Sequence, residues 1–414
     1  MQLLGPEGTL HLATDPTRPG RPPIAGDDRL VCMNEKADIV IIGGGIAGIG
    51  AAYYLSTTHD VVVVERETSL TAHSTGRSAA VYVAGLGGGP FSALADASLP
   101  WFRDPPAGLA DSELLTPRGM ATLLGPGDEG FAETTSANHR AAQTDFLDPD
   151  QVSDLIDWVD SSKISGALFQ PNVDDMDVLA IHQSFVRGAR ANGARIHRSS
   201  EALGVERTSN GFSVRLATGT ITAPIIVNAA GAWADVVAQR CGANAIGLIP
   251  KRRTAFTVST PGITNGPMTG DAGFSFYAKP ESGEQLLLSP MDQLPVEPHD
   301  VRHDEETVAA TIERAQPWLL PQLRHVRQAW AGRRTFAPDE GPVIGWDANV
   351  EGFFWFAGQG GTGIQSSPAA SESVATLLRG EGLPPSVAAH DVSAADLSPA
   401  RFPPNYQTTP ESSP

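Results

Sequence analysis

The sequence predicts an α/β protein in which a discontinuous Rossmann-like domain is joined to a second domain, of the α+β class, built on a mixed sheet. Three apolar runs predict buried strands of one sheet, at 39–42, 61–64 and 352–358. The first and third runs each end at a glycine loop that leads into a helix pattern. Strand, glycine loop and helix in this order form the repeating unit of a doubly wound fold.

The first glycine turn has the spacing of a phosphate-binding loop. Gly43, Gly45 and Gly48 fill the glycine positions of G-x-G-x-x-G, directly before a predicted helix over 46–55. They allow a tight turn, the approach of a pyrophosphate and close packing of helix on strand. The helix N-terminus offers free N–H groups and a partial positive charge. Glu65 ends the second strand at the position where an acid binds a ribose hydroxyl, so the stretch predicts an adenine dinucleotide.

The composition limits the functions that the chain can have. It has 414 residues, enough for two domains that share a cleft, and its formal net charge of −18 argues against a nucleic-acid-binding surface. The same charge favours a soluble protein of the cytoplasm, and no apolar run approaches the ~20 residues of a membrane span. With Cys32 and Cys241 as its two cysteines, and no Cys-x-x-Cys pair, we expect a metal-free site and no disulfide framework.

The remaining segments are predicted from breaks and periodicity. Residues 1–34 form an expected disordered extension, since they lack apolar periodicity and resemble no secretory signal; whether they belong to the native protein stays open. The Pro/Ser/Thr-rich tail 397–414 is expected to be flexible. Helical stretches broken by Pro and Gly are predicted over 92–175, an amphipathic helix over 177–192, and a β-meander over 194–217.

Residues 248–333 are rich in strand-forming and aromatic residues. Arg253 alternates with Ala255 and Thr257, which places these three side chains on one face of a strand. Tyr277 is predicted to lie opposite two phenylalanines on its own strand. One face of this sheet is therefore expected to line a pocket.

Several motifs occur in an order that is specific to one family. Together they resemble the flavoenzymes of the D-amino-acid oxidase and glycine oxidase superfamily, and within it the bacterial D-arginine dehydrogenases, over residues 37–399. The matching stretches are 43–48 with Glu65, 73–78, 228–233, 250–253, 275–277, 330–332, 351–355 and 360–364.

The resemblance implies a non-covalent FAD. No cysteine lies near Gly360, so the covalent attachment of sarcosine oxidases is not expected. The helix N-terminus after the second glycine loop could stabilise negative charge on the flavin pyrimidine. The implied cofactor-binding residues are Gly43, Gly45, Ala47, Gly48, Glu65, Arg66, Ser74, Thr75, Gly76, Arg77, Ser78, Ala79, Ala80, Ala202, Gly231, Gly360, Gly361, Thr362, Gly363, Ile364 and Gln365.

The resemblance also implies a binding site for a substrate carboxylate. Arg253, Tyr277 and Arg334 match positions with this role, and a guanidinium fork meets a carboxylate with two parallel hydrogen bonds. Holding that end of a small amino acid would place its Cα–H over flavin N5, where hydride transfer depends largely on position. The implied products are an imine and then a 2-oxo acid and ammonia.

Three substitutions separate this chain from the D-arginine dehydrogenases. Met120 stands where a glutamate would receive the arginine side chain, Val81 replaces a histidine, and Leu86 replaces a tyrosine in a lid. An unpaired cation beside these residues would cost several kcal/mol. We therefore expect an apolar side chain on the substrate. No general base is assigned, and solvent, a backbone carbonyl near Gly361 or selection of the free amine stay open.

The predicted domains and the alternatives complete this interpretation. The FAD-binding domain is assigned to 35–82, 176–247 and 334–396, and the substrate-binding domain to 83–175 and 248–333. Enzymes that oxidise N-methyl amino acids, cyclic amino acids or 2-hydroxy acids are alternatives within the fold, and a flavin-binding protein without turnover is one outside it. The exact substrate and its chirality, oxygen or quinone as electron acceptor, and monomer or small homo-oligomer also stay open.

Overall fold

The computed structural model describes residues 33–128, 130–131 and 144–402. The strands are β1 Met33–Lys36, β2 Ile39–Ile42, β3 Val61–Val64, β4 Val81–Tyr82, β5 Leu115–Pro117, β6 Met120–Leu124, β7 Asp145–Leu147, β8 Gly166–Gln170, β9 Asp174–Met176, β10 Arg195–His197, β11 Gly204–Thr208, β12 Gly211–Leu216, β13 Gly219–Ala223, β14 Ile225–Asn228, β15 Ile249–Ser259, β16 Met268–Asp271, β17 Tyr277–Glu281, β18 Gln285–Ser289, β19 Val326–Phe336, β20 Val343–Trp346 and β21 Phe353–Ala357. The α-helices are α1 Ile46–Leu55, α2 Gly89–Arg103, α3 Pro149–Leu155, α4 Val178–Ala191, α5 Ala234–Arg240, α6 Glu305–Ala315, α7 Ser367–Leu378, α8 Pro385–Ala388 and α9 Ala394–Leu397.

A six-stranded sheet carries the first glycine loop. Its order is β10-β3-β2-β14-β21-β20, and each neighbouring pair is parallel except the edge pair of β20 with β21. β2, β3 and β21 are buried along their whole length. A strand covered on both faces needs apolar side chains on both, so the three apolar runs are confirmed as central strands.

The segment 194–217, predicted as one meander, belongs to two sheets. β10 pairs in parallel with β3 at the edge of the six-stranded sheet. The antiparallel meander consists of β11, β12 and β13, with β1 alongside in parallel. The prediction is wrong for β10 because α4 packs beside α1 and returns the chain to the parallel sheet. A half-buried strand of three residues carries no periodicity that reveals its partner.

The structured chain begins earlier than predicted. Met33 and Asn34 were assigned to the disordered extension, but they open β1, which pairs in parallel with β13. Pairing with a distant strand orders a segment that has no apolar pattern of its own, so the boundary at residue 34 is wrong. Residues 1–32 lie outside the described part of the chain.

The C-terminal tail is also ordered further than predicted. Leu397 is fully buried at the end of α9, and Arg401 forms an ion pair with Asp339 at 2.6 Å. The expected flexibility is therefore wrong for residues 397–402, whose partners lie more than fifty residues away in the sequence. Residues 403–414 lie outside the described part of the chain.

An eight-stranded mixed sheet carries the residues that were predicted to bind substrate. Its order is β19-β15-β18-β17-β16-β6-β8-β7. One face, which includes Phe256, Phe276 and Leu288, forms a core with α3 and α6. The opposite face carries Arg253 and Tyr277, so the prediction that one face of this sheet lines a pocket is confirmed.

Five short strands, β5 to β9, lie within the segment 92–175 that was predicted to be helical, alongside the helices α2 and α3. β6 pairs in parallel with β16 and antiparallel with β8, and it thereby joins the mixed sheet. The prediction is wrong there because these strands have only three to five residues and take their stability from partners elsewhere in the chain. The prolines taken as helix breaks do not distinguish a broken helix from a short strand.

Helices α4 and α7 both pack against α1 on the parallel sheet. The buried side of α4 contains Ile181, Phe185 and Ala189, which recur at helical spacing. Leu179, counted among the apolar residues of this helix in the sequence, is instead 57% exposed. It lies in the first turn of α4 and off the buried side.

We propose that the two sheets correspond to the two predicted domains. The six-stranded sheet takes its strands from 35–82, 176–247 and 334–396, and the mixed sheet takes most of its strands from 83–175 and 248–333. α2 departs from this division, because its buried side chains belong to the core around α1 and α7. The helix therefore lies on the nucleotide-binding side although its sequence falls in 83–175.

The contact between the first glycine loop and α1 leaves no room for side chains. Gly43 has a φ of +109°, and a Cβ on it would lie 2.4 Å from the backbone oxygen of Ala229. A Cβ on Gly48 would lie 1.8 Å from the backbone oxygen of Gly43. Both predicted glycine roles, the tight turn and the close helix–strand contact, are therefore met by the geometry.

We expect Gly48→Ala to lower the free energy of unfolding by about 2–4 kcal/mol, because α1 must move away from the loop to make room. Chemical denaturation measures the change. Gly204→Ala is the matched control, since its Cβ would meet only the flexible end of Arg215, and it should change stability by less than ~0.5 kcal/mol. Equal effects of the two substitutions would contradict the steric argument.

Candidate active site

A cleft of about 1800 Å³, measured out to its open mouth, runs between the two sheets. On one side lie the residues that follow the carboxyl ends of β2, β3, β14 and β21, the usual place for a ligand in an open α/β sheet. On the other side lie side chains of β15, β17 and β19. The cleft therefore brings the two glycine loops and the predicted carboxylate-binding residues together.

The N-terminus of α1 opens onto the cleft without a side-chain cap at Gly45. One of its first N–H groups, that of Ile46, donates to Thr75 Oγ1 at 3.1 Å. The carboxylate of Glu65 accepts from the backbone N–H of Gly44 at 2.8 Å and from that of Glu67 at 2.9 Å. Burial raises the pKa of Glu65. Carboxylate oxygens have further lone pairs, so these bonds leave capacity for a ribose hydroxyl.

His182 holds the first glycine loop from behind, which the sequence did not reveal. Its side chain is fully buried on α4, and Nε2 lies 3.0 Å from the backbone oxygen of Gly44. Because a carbonyl only accepts, Nε2 carries the proton, and Nδ1 is left without a partner. Burial lowers the pKa of His182. The backbone of Gly44 is thus bound at both of its polar groups, by Glu65 at the N–H and by His182 at the oxygen.

The outer end of the cleft is bounded by residues that follow β10 and β14. Ala202 lines the cleft as predicted, and its backbone oxygen accepts from Arg240 at 2.8 Å. Trp233 lies one turn beyond Gly231, and the guanidinium carbon of Arg66 stands 4.2 Å from the centroid of its ring. Trp233 belongs to the stretch 228–233 that carries the family resemblance, but no role was predicted for it, and Arg240 has no distinguishing signal in the sequence.

The second glycine loop closes the inner end of the cleft. Gly360 has a φ of +52°, and a Cβ on Gly361 would lie 2.9 Å from Nη1 of Arg334. Gln359, also missed in the sequence, lines the cleft, and its buried Nε2 has no hydrogen-bond partner. A flat ring with hydrogen-bond acceptors fits this place. The glycines leave room for it without moving any side chain, and one of its acceptors could pair with the unpartnered Nε2 of Gln359. The cleft as a whole therefore fits an FAD.

The predicted carboxylate-binding residues meet beneath the second glycine loop. Arg253 is 7% exposed, and its Nε donates to the backbone oxygen of Asp292 at 2.9 Å, which leaves the outer end of the guanidinium free to bind. Tyr277, also 7% exposed, and Arg334 line the same part of the cleft. Burial, and then the charge of Arg334, lower the pKa of Arg253 to about 10, so it stays charged at neutral pH. Among the residues that the structure describes, neither arginine forms an ion pair.

Most of the predicted site residues line the cleft, and eight do not. Those outside its lining are Gly48, Gly76, Ala80, Val81, Leu86, Met120, Thr362 and Gln365. Gly48 lies behind the loop, and Gln365 uses Oε1 to accept from Val83 N at 3.1 Å, which ties the second loop to the chain after β4. Leu86 is 45% exposed.

The sheet face that carries Met120 is more polar than expected. Met120 pairs with Met268 on β16, which lies next to Lys279 on β17. Lys279 Nζ stands 2.8 Å from Asp175 Oδ1 and 3.0 Å from Glu281 Oε1, and Arg118 also binds Asp175. The carboxylates of Glu281 on this sheet and of Asp175 on the neighbouring strand β9 are therefore already paired with cations.

Two further observations concern metals and membranes. Over residues 33–128, 130–131 and 144–402, no group of three His, Cys, Asp or Glu side chains is arranged to hold a metal ion. Within the same ranges, none of the helices combines the length and the apolar character that crossing a membrane requires.

Comparison with known proteins points to one family. The family model described as DAO, FAD dependent oxidoreductase, matches residues 38–377. Hydrogen cyanide synthase subunit HcnC of Pseudomonas aeruginosa is 27% identical over 412 residues, which cover 86% of this chain and 95% of that protein. Glycine oxidase of Bacillus licheniformis is 25% identical, with 84% of this chain and 94% of that protein covered. The crystal structure of glycine oxidase from Geobacillus kaustophilus has the same fold, with a TM-score of 0.74 at 20% identity over 90% of this chain and 99% of that chain.

We expect acid to destabilise the protein partly through His182. Because burial lowers its pKa, the unfolded chain binds a proton between the ordinary value near ~6.5 and the lowered folded value, where the folded chain does not. The stability linked to neutral His182 is therefore complete above about pH 6.5 and is lost as the pH falls. His182→Gln keeps an N–H donor without a titrating group, so its Tm should fall less steeply than that of the wild type from about pH 7 to about pH 5.

Thermal denaturation with saturating FAD, at a series of pH values, measures this difference. His325→Gln, at an exposed position, is the control and should keep the slope of the wild type. A His182→Gln slope equal to that of the wild type would contradict the assignment.

Proposed function

The chain belongs to the DAO family of FAD-dependent oxidoreductases, and on this basis we propose that it oxidises a small amino acid of D configuration that has a free carboxylate and an apolar side chain. In the proposed reaction, the Cα–H of the substrate leaves as hydride and the resulting imine is hydrolysed to a 2-oxo acid and ammonia. FAD, when bound, supplies the acceptor of the two electrons. Oxygen or a quinone as the final acceptor, and a cytoplasmic location, belong to the same proposal.

The pair of guanidiniums of Arg253 and Arg334 in the cleft carries this proposal. The charge of Arg334 lowers the pKa of Arg253, a smaller effect of Asp292 raises it, and no carboxylate of the described chain forms an ion pair with either arginine. Holding a second positive charge beside the buried Arg253 is costly unless an anion joins them, although Arg334 itself is only partly buried. A substrate carboxylate is such an anion, and it matches the fork geometry of a guanidinium.

The side chains of the cleft would act mainly by holding the substrate. Arg253 and Arg334 would bind the carboxylate, and the hydroxyl of Tyr277 would add a third hydrogen bond to it. Fixing this end beneath the second glycine loop orients Cα–H within the cleft, and such positioning can lower a barrier by several kcal/mol. The two cations would bind the amino acid through its carboxylate, which does not react, so that Cα, where the hydride leaves, stays free.

The preference for an apolar side chain rests on the resemblance and on charge. By the resemblance, Met120, Val81 and Leu86 would surround that side chain; they lie outside the lining of the cleft, and none of them offers a carboxylate to a basic side chain. Asp175, which lies on β9 and pairs with Val81 in a neighbouring sheet, is already bound by both Lys279 and Arg118. A substrate with the side chain of arginine or lysine would therefore lack a counter-charge, which supports leucine-like, methionine-like or phenylalanine-like side chains.

We expect apolar D-amino acids to bleach the oxidised flavin band of the holoprotein under anaerobic conditions, and D-arginine to bleach it far more slowly. Absorbance near ~450 nm follows the reduction. Bleaching by N-methyl amino acids or 2-hydroxy acids alone would move the substrate class within the family. Faster bleaching by D-arginine than by D-leucine would contradict the proposed side-chain preference. A holoprotein that no member of the panel bleaches would contradict turnover itself.

Arg334→Met should lower kcat/KM for the best substrate of that panel by about 30-fold or more, because one arm of the carboxylate fork is lost. Steady-state kinetics measure the change, and the binding of a non-reacting carboxylate to the oxidised flavin, followed by its spectral shift, should weaken in parallel. Lys251→Gln is the matched control, since Lys251 faces Arg334 across the strands and is paired with Glu340 at 2.8 Å. An unchanged carboxylate affinity in Arg334→Met would contradict the role of Arg334.

A further inference from the structure

Arg333, next to the carboxylate-binding Arg334, has a buried guanidinium that is incompletely paired. The residue is 2% exposed, and its Nη1 donates to the backbone oxygen of His299. Nε and Nη2 have no hydrogen-bond partner. Native structures seldom bury a charged group with unused donors, because each lost hydrogen bond to water costs free energy. The arginine is therefore arranged for a partner that the chain itself does not supply.

The guanidinium of Arg333 lies at the wall of the cleft. Its central carbon stands 4.1 Å from the ring centroid of Trp233, and that of Arg66 stands 4.2 Å from the same ring. All three residues line the cleft. An indole ring attracts cations, but it offers no hydrogen-bond acceptor in the plane of the guanidinium, so the stacking does not satisfy the unused N–H groups.

The carboxylates nearby are already bound to other cations. Glu67 accepts from Arg66 at 2.8 Å and lies 2.9 Å from His73, and Asp300 accepts from Arg77 at 2.6 Å. Burial, and then the charge of Arg77, lower the pKa of Arg333 to about 10, so it remains charged at neutral pH. The group of three arginines and two carboxylates therefore has an excess of positive charge, located at Arg333.

Arg333 is joined to the phosphate-binding end of the cleft by two hydrogen bonds. Its backbone oxygen accepts from Ser74 Oγ at 2.6 Å, and the neighbouring Thr75 accepts from the N–H of Ile46 in the first turn of α1. The loop 72–78 thus connects β19 of the mixed sheet to the helix N-terminus of the other sheet. An anion at that helix N-terminus would lie in the same part of the cleft as this cation group.

We propose that Arg333, supported by Arg66 on Trp233, binds the phosphates of FAD from the side of the mixed sheet, opposite the first glycine loop. The unused N–H groups of Arg333 would donate to phosphate oxygens, a strong and charge-assisted pairing. Binding of FAD would then tie the two sheets together at the mouth of the cleft. This role concerns the cofactor alone and does not depend on which substrate is oxidised.

Titration of the apoprotein with three ligands tests the proposal. FAD carries both the flavin and the diphosphate, ADP carries the diphosphate alone, and riboflavin carries the flavin without phosphate. Arg333→Met should weaken FAD and ADP by about 10- to 100-fold and leave riboflavin within about two-fold. Arg333→Lys, which keeps the charge but not the fork, should fall between Arg333→Met and the wild type. The salt dependence of FAD binding should be shallower in Arg333→Met.

The stability of the apoprotein provides a second, independent measurement. Because Arg333 lacks partners before FAD binds, Arg333→Met should leave the Tm of the apoprotein unchanged or raise it, while the rise in Tm on adding FAD becomes smaller. Arg327→Gln is the control, since Arg327 lies on the same strand with an exposed side chain. It should change neither the affinities nor the Tm values.

Two results would overturn the proposal. The first is an FAD affinity of Arg333→Met equal to that of the wild type. The second is a lower apoprotein Tm together with equal weakening of FAD and riboflavin, which would show that Arg333 only supports the fold.

Discussion

The close approach of α1 to the first glycine loop is the constraint on which the rest of the site depends. A Cβ on Gly48 would collide with the backbone of Gly43, and a Cβ on Gly43 would collide with the backbone that follows β14. These contacts set where the helix N-terminus emerges. Glu65 and His182 then bind the N–H and the oxygen of Gly44, so the loop is held from the sheet side and from α4. A single added methyl group at Gly43 or Gly48 would therefore displace the first glycine loop and the N-terminus of α1, which are the groups expected to face the phosphates of FAD.

Electrostatics determines what the cleft can accept. The chain carries a formal net charge of −18, yet the cleft is lined by Arg253, Arg333 and Arg334, none of which forms an ion pair within the described residues. Cations that are buried or partly buried and form no ion pair favour anionic ligands, because the ligand removes the cost of leaving them unpaired. FAD and the proposed substrate carboxylate are both anions, and in our proposals Arg333 would bind the first and Arg253 with Arg334 the second. The net charge of the chain therefore reflects its surface residues and does not predict the local charge in the cleft.

The strongly patterned elements were predictable, and those that depend on distant partners were not. β2, β3, β14 and β21, with α1 and the helix after the second loop, follow directly from apolar runs and glycine loops. Strands such as β6 and β10 are short and half-buried, so their own residues do not say which sheet they join. The predictions that Arg401 is flexible and that Leu179 is part of an apolar helix face are wrong for the same reason. Order and burial at these positions depend on residues that are distant in the sequence and close in space.

The sequence by itself determined the family resemblance, the cofactor and the approximate set of residues around it, because glycine spacing and strand order are local patterns with few physical solutions. It also identified Arg253, Tyr277 and Arg334, whose meeting in one cleft required the mixed sheet to fold over the second glycine loop. The tertiary structure alone decided which groups are left unpaired when they are buried. His182, Gln359 and Arg333 have no sequence signature. Their importance comes from polar atoms that are buried without a hydrogen-bond partner, and this burial exists only in the folded molecule.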